Sequence, residues 1–312
     1  MSSAIYILCP GQGAQTVSMG KDLYDSSAAA KEVFDRADRV LGFSISTLCF
    51  GGPEERLNRT DISQPAIYAT SVASFHAAHE AGAIDPGAIV GAAGLSLGEY
   101  TALHLGGAFG FEDGLKLVAA RGRYMQEAAQ SSPSGMVAIL GADEEQVTRL
   151  CREAADGEVL VLANLNAPGQ IVVSGSCGAC ERALKSAEAA GLKATALKVA
   201  GAFHSPLMRP AANCMTAELD RVHFDELVFP VYSNVTAQPH GDPALIKRLL
   251  VDQIISPVQW ERTMKALLAT EGPRFVELAP GRTLAGLAKR INRRLPVESV
   301  GTAELLSAAK GT

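Results

Sequence analysis

Ser96 stands in Gly94-Leu95-Ser96-Leu97-Gly98, a Gly-x-Ser-x-Gly pentapeptide with the spacing of a nucleophile elbow. The apolar run Ala88-Ile89-Val90 before it reads as a short buried strand. The apolar positions Leu103, Leu105 and Phe109 after it read as a helix. Such a strand-to-helix turn is sharp, and a side chain at Gly94 or Gly98 would collide with neighbouring backbone. The turn leaves the Ser96 hydroxyl at its tip, beside free N–H groups of a helix N-terminus that favour developing negative charge. Those features suit acyl transfer through a covalent acyl-serine. A Gly-rich turn around an ordinary serine is the plainer alternative, and the strand before and helix after favour the chemistry.

A serine nucleophile needs a base, and the chain has six histidines. His76 and His79 fall within an apolar helical pattern and read as packing or surface residues. His104 lies eight residues past Ser96, where helical spacing carries it away from the tip. His223 and His240 read as loop residues. His204, in Gly201-Ala202-Phe203-His204-Ser205-Pro206, follows a change in chain character and precedes a proline that bars helix through Ser205. A histidine at such a junction is the better base, because clefts form there. An early loop, Pro10-Gly11-Gln12-Gly13-Ala14-Gln15, follows the apolar run Ile5–Cys9 and offers the Gln15 amide as an oxyanion or substrate contact, or is a simple turn. Pattern alone does not separate Arg121 from its neighbour Arg123, a surface arginine.

The elements that must position these residues follow from apolar spacing. Helices are expected over 21–42 and 52–84, the latter with a start at Ser63-Gln64-Pro65, and from Phe111 onward. Residues 131–200 then read as strand 136–140, helix 143–154, strand 159–162, strand 170–174, helix 179–190 and strand 194–199. That β-α-β-β-α-β order is the split motif of ferredoxin-like folds. Asp143 suits an N-cap, Gly191 a helix C-terminus, and Asn166-Ala167-Pro168-Gly169 a turn. The expected organisation is α/β: a large domain from 1–130 and 201–312, with 131–200 as a small insert. Strands 229–235 and 275–278 and helices 249–255 and 284–293 complete the large domain.

Bulk properties restrict the classes. The 312 residues are 47% hydrophobic and 20% charged, a globular balance with a net charge of −5 that offers nothing to nucleic acid. The N-terminus lacks the features of a signal peptide, and no apolar run approaches a membrane span. A cytoplasmic protein without membrane association is expected. Six cysteines are scattered. The CxxC spacing of Cys177 and Cys180 has no second pair or histidine cluster to make it a metal site.

The ordered motifs together resemble one family, the malonyl-CoA:acyl-carrier-protein transacylases and the related acyltransferase domains of polyketide and fatty acid synthases. The resemblance is carried by Pro10–Gln15, Gln64-Pro65-Ala66, Gly94–Tyr100, Arg121-Gly122 with Met125-Gln126, Asn166 with Pro168-Gly169-Gln170, Gly201–Ser205, Ser233–Thr236, Gln253 with Pro257-Val258 and Trp260, and Glu277 with Pro280-Gly281. It implies an α/β-hydrolase-like large domain with a ferredoxin-like insert. It implies Ser96 as nucleophile and His204 as general base, with Gln15 and the Leu97 N–H as oxyanion donors. Arg121 would pair with the malonyl carboxylate, and Asn166 and Phe203 would lie at the substrate. The main-chain carbonyl of Gln253 would orient the histidine. The implied reaction is ping-pong transfer of malonyl from malonyl-CoA to the phosphopantetheine thiol of acyl carrier protein. It needs no bound metal or redox cofactor, and a monomer is expected. Lys289 and Arg290, in the densest basic run, are the candidate docking residues for the acidic carrier protein. One departure is Leu95, where the discrete bacterial enzymes usually have histidine. A thioester hydrolase would share Ser96 and His204 without needing Arg121, and a non-catalytic carrier-binding module would need none of the three.

Overall fold

The computed structural model describes residues 4–270 and 272–309. Among the described residues nine strands, β1 (Ile5–Cys9), β2 (Ile89–Gly94), β3 (Ser134–Leu140), β4 (Leu160–Ala167), β5 (Gln170–Ser176), β6 (Lys193–Ala196), β7 (Val231–Tyr232), β8 (Arg274–Glu277) and β9 (Val297–Ser299), form two sheets. The first is parallel, in the order β7-β2-β1-β8-β9. Its central strand β1 is buried at every position, as a parallel strand covered on both faces must be. The second is antiparallel, in the order β4-β5-β3-β6, with helices Glu144–Ala155 and Cys177–Ala189 as its crossovers. It carries its own apolar cluster around Val137, Ile139, Val147, Leu165, Val173 and Ala183.

Local signals explain much of this. Asp143 caps its helix reciprocally with Gln146, a capping box. Gly191 adopts φ 71° just past its helix, and the tight turn between β4 and β5 has Gly169 at φ 70°. Elsewhere tertiary contacts override the pattern. The expected helix over 21–42 is broken at Ser27, whose hydroxyl caps the second piece, Ala28–Leu41. A further helix, Ile45–Gly51, precedes the expected helix over 52–84, which is two helices, Glu54–Leu57 and Thr60–Glu80. The last begins three residues ahead of Ser63 because the Gln126 side chain, from another helix, accepts the Thr60 N–H at 3.1 Å. The expected strand 229–235 is only β7, since Ser233–Val235 turn beneath the elbow.

Three connections hold the two sheets against one another. β4 is bonded to the chain just beyond Gln253: Val258 N–H donates to Ala163 at 2.8 Å, and Leu165 N–H donates to Val258 at 2.9 Å. The ends of the 131–200 segment meet where Ala202 N–H donates to Ser134 Oγ at 3.1 Å. A third contact is the ion pair of Arg262 with Glu144 at 2.8 Å. Among the described residues no helix is long and apolar enough to cross a membrane.

Candidate active site

β2 ends at Gly94, and the helix Gly98–Leu105 starts four residues later. A Cβ on Gly94 would lie 1.9 Å from the carbonyl carbon of Gly98, and one on Gly98 would lie 2.0 Å from the Cys9 carbonyl oxygen. Only glycine permits this closure. Ser96 is forced to φ 50°, a left-handed conformation rare for a side-chain-bearing residue. Asn234 supports it. Its Oδ1 accepts the Ser96 N–H at 2.6 Å and its Nδ2 donates to Gly94 O at 2.7 Å. The Leu97 N–H, at the N-terminus of the elbow helix, has no acceptor among the described residues.

His204 is buried, also at a positive φ of 57°. Its Nδ1 lies 2.8 Å from the Gln253 carbonyl oxygen and its Nε2 lies 2.8 Å from Ser96 Oγ. A carbonyl only accepts, so Nδ1 carries the proton and Nε2 is the free base facing the serine hydroxyl. Burial depresses the imidazole pKa to about 4, and the nearby Arg121 charge adds to the effect. The bond to the Gln253 carbonyl acts in the opposite direction.

Arg121, from the helix Phe111–Ser131, is 1% exposed, whereas Arg123 beside it is exposed. Gly122 lets this helix close on Thr60–Glu80: a Cβ there would lie 2.6 Å from the Thr60 carbonyl oxygen. The approach brings Gln64 Oε1 within 2.7 Å of Arg121 Nη1. Nη2 donates to Gln253 Oε1 at 2.7 Å and to Ser96 Oγ at 3.1 Å, and the guanidinium lies over the Tyr100 ring at 5.6 Å. Every hydrogen-bond partner is neutral, and Nε has none among the described residues. A buried guanidinium without a paired carboxylate stands beside the Ser96 hydroxyl.

The remaining candidates are placed less directly. Both ends of the Gln15 amide are engaged in its own neighbourhood: Oε1 accepts Gly13 N–H at 2.7 Å and Nε2 donates to Asn58 at 2.9 Å. No bond joins it to Ser96. Asn166 lies on β4, half-buried, with Oδ1 shut from solvent and unpartnered among the described residues. Phe203 is buried in the main apolar cluster. Lys289 and Arg290 are exposed in the last turn of the helix Thr283–Ile291. Leu95 packs its side chain on the cluster around Trp260, and the serine–histidine contact is made without it.

The sequence reading missed roles for Gln64, Asn234, Glu99 and His240, and for the side chain of Gln253. Four of the five lie in the quoted motifs, so a signal of importance was present without a chemical assignment. His240, read as a loop residue, is buried and bonded to Glu99 at 2.7 Å. His104 bonds to Phe109 O at 3.0 Å, apart from the site, and His223 is exposed. Cys177 and Cys180 are unbonded to each other, and no cluster of possible metal ligands occurs among the described residues.

Residues 6–308 match the family described as acyl transferase domain. This chain belongs to that family. It is 41% identical over 309 residues to a malonyl CoA-acyl carrier protein transacylase of Bacillus subtilis, covering 98% of this chain and 96% of the relative. The structure of the malonyl CoA-acyl carrier protein transacylase from Coxiella burnetii superposes with a TM-score of 0.95 at 36% identity, over 99% of this chain and 98% of that one. A malonyl-transacylase in complex with a type II PKS acyl-carrier protein superposes with a TM-score of 0.94, at 36% identity over 99% of both chains. As an acyltransferase the protein has an assembled serine–histidine pair, a helix N-terminus beside it and a buried cation.

Proposed function

We propose that this acyltransferase moves the malonyl group from malonyl-CoA to the phosphopantetheine thiol of an acyl carrier protein through a malonyl-serine intermediate. The observation that carries the reading is Arg121, a buried guanidinium 3.1 Å from the nucleophile with only neutral acceptors around it. A substrate carboxylate completes that environment, and the fork of a guanidinium matches it in two hydrogen bonds. In the first half-reaction His204 Nε2 takes the Ser96 proton as Oγ attacks the thioester carbon. The Leu97 N–H would stabilise the resulting oxyanion, and Gln15 would be the second donor, since its Nε2 carries another hydrogen besides the one given to Asn58. Collapse breaks the C–S bond and expels coenzyme A as its thiolate, which takes the proton from His204 Nε2 to leave as the thiol. The carrier thiol then repeats the steps in reverse, and no metal or redox group is needed.

The relatives named as transacylases support the donor, and the structure of one bound to a carrier protein supports the acceptor. Carrier proteins of fatty acid and polyketide assembly both fit this chemistry. A substrate contact of Asn166 is supported by its buried Oδ1, unpartnered among the described residues, and one of Phe203 only by its place in the chain next to His204. The two sheets read as a hydrolase-like large domain, 1–130 and 201–312, with a ferredoxin-like insert, 131–200.

Incubation with radiolabelled malonyl-CoA tests the reading. Label should stay on the wild-type protein, pass to added carrier protein, and be absent from Ser96→Ala. Label on that variant would remove Ser96 as nucleophile. Release to water without labelled carrier protein would make the enzyme a hydrolase.

A further inference from the structure

Behind Ser96, His204 and Arg121 lies one carboxylate with no solvent exposure, Glu99 in the first turn of the elbow helix. A buried carboxylate is costly unless donors satisfy its lone pairs. Glu99 has three. Oε1 accepts from Nε2 of the equally buried His240 at 2.7 Å. Oε2 accepts from Gln253 Nε2 at 2.7 Å and from the Asn234 N–H at 3.1 Å.

Two of these donors belong to residues that hold the reacting groups. Gln253 presents its main-chain carbonyl to His204 and its side-chain Oε1 to Arg121, while Nε2 also donates to the Ser96 carbonyl at 2.9 Å. Asn234 clasps the left-handed Ser96 through Ser96 N–H and Gly94 O. The direction of the Gln253 amide is forced by its surroundings. Arg121 only donates, whereas Glu99 and the Ser96 carbonyl only accept, so the amide oxygen must face the guanidinium. Glu99 is the charged half of that arrangement. A serine–histidine–carboxylate triad places its acid on the imidazole; here the acid stands one residue back, on the amide of the glutamine whose carbonyl holds the imidazole.

We propose that Glu99, itself held by His240, is the positioning residue for acyl transfer: it orients Gln253 and Asn234, and through them the His204 base, the Arg121 guanidinium and Ser96. This rests on the acyl-transfer reading above. In Glu99→Gln the new amide can turn its NH₂ toward Gln253. The Gln253 amide then turns over and sets its own NH₂ against Arg121. The signature is therefore a loss of rate joined to a loss of carboxylate recognition.

The test measures acyl-serine formation from malonyl-CoA and from acetyl-CoA, per active site by burst amplitude, with folding followed by circular dichroism. Glu99→Gln should slow malonyl-serine formation about 10- to 100-fold, as expected for loss of charge-assisted hydrogen bonds. The malonyl-over-acetyl preference should shrink about tenfold. His240→Leu should fall in the same direction, and the double variant should be no worse than Glu99→Gln, because the pair acts as a unit. His240→Gln, which keeps a donor for Oε1, should recover most of the rate and preference. An unchanged preference in both Glu99→Gln and His240→Leu, with the two substrates losing rate in equal proportion, would reduce the pair to a structural role and overturn the proposal. If Glu99→Gln does not fold, the contrast between His240→Leu and His240→Gln decides by the same ratio. A wild-type enzyme that forms no malonyl-serine would instead overturn the acyl-transfer reading itself.

Discussion

In the proposed reaction Arg121 would set what the site discriminates and His204 when it is active. A hydrogen bond to a charged group contributes about 1.5–3 kcal/mol, or roughly 10- to 150-fold in rate. Arg121→Ala should lower malonyl kcat/KM by at least that factor, with acetyl transfer unchanged or improved. Arg121→Lys should recover only part, since an ammonium cannot reproduce the fork. Kinetics with both thioesters on the three proteins check this, and equal losses would make Arg121 structural. The pH dependence follows from the depressed His204 pKa. The base is neutral above about pH 4, so the acid limb of malonyl-serine formation should lie near there rather than in the ordinary histidine range. The Arg121 charge contributes to that depression, so Arg121→Ala should move the acid limb upward. For stability the unfolded chain binds this proton first. His204 therefore costs stability progressively as pH falls from about 6.5 toward 4, and nothing further below. A pH series of kcat/KM and of urea midpoints measures both.

At the scale of elements the elbow is the least tolerant part. Gly98→Ala would drive a Cβ to within 2.0 Å of the Cys9 carbonyl on β1, so strand and helix must separate and Ser96 must move. We expect a loss of at least about 2–3 kcal/mol, the range of severe backbone and packing conflicts, with acyl-serine formation abolished in any folded fraction. Gly286, within the helix Thr283–Ile291, has open space where a Cβ would stand. Gly286→Ala should be neutral or add about 0.5–1 kcal/mol through helix propensity. Urea denaturation of both variants gives the contrast. A Gly98→Ala protein with wild-type stability and labelling would show that the elbow does not depend on this contact.

Across the whole molecule the question is how an acidic enzyme would meet the acidic carrier protein expected as its partner. With a net charge of −5, long-range repulsion must be offset by a local basic surface. Lys289 and Arg290 are exposed at the end of a helix, followed by the exposed Arg293 and Arg294. A solvated helix end would look the same, so kinetics must separate the two. Lys289→Glu combined with Arg290→Glu should slow transfer to carrier protein, most strongly at low salt, while malonyl-serine formation stays as in wild type. Transfer at the wild-type rate in low salt would remove this surface from docking.

Much of this protein is determined by local sequence. Gly94, Gly98 and their flanking apolar runs specify a strand, a sharp turn and a helix, because the constraint is steric and acts within a few residues. Asp143 with Gln146, Pro168-Gly169 and Gly191 bound the elements of the second sheet for the same reason. Ser96 and His204 were legible because an elbow and a loop at a change of chain character are themselves local features. Tertiary structure decided the rest. Arg121 looked no different from Arg123 until two helices closed at Gly122 and buried one of them beside Gln64. Thr60 began a helix because Gln126, sixty-six residues away, accepts its N–H. His240 and Glu99, 141 residues apart, became a pair only when the segment after β7 folded under the elbow. Spacing reveals which residues can share a turn or a face. Which buried donor meets which buried acceptor depends on three-dimensional closure, where each polar group removed from water must find a partner.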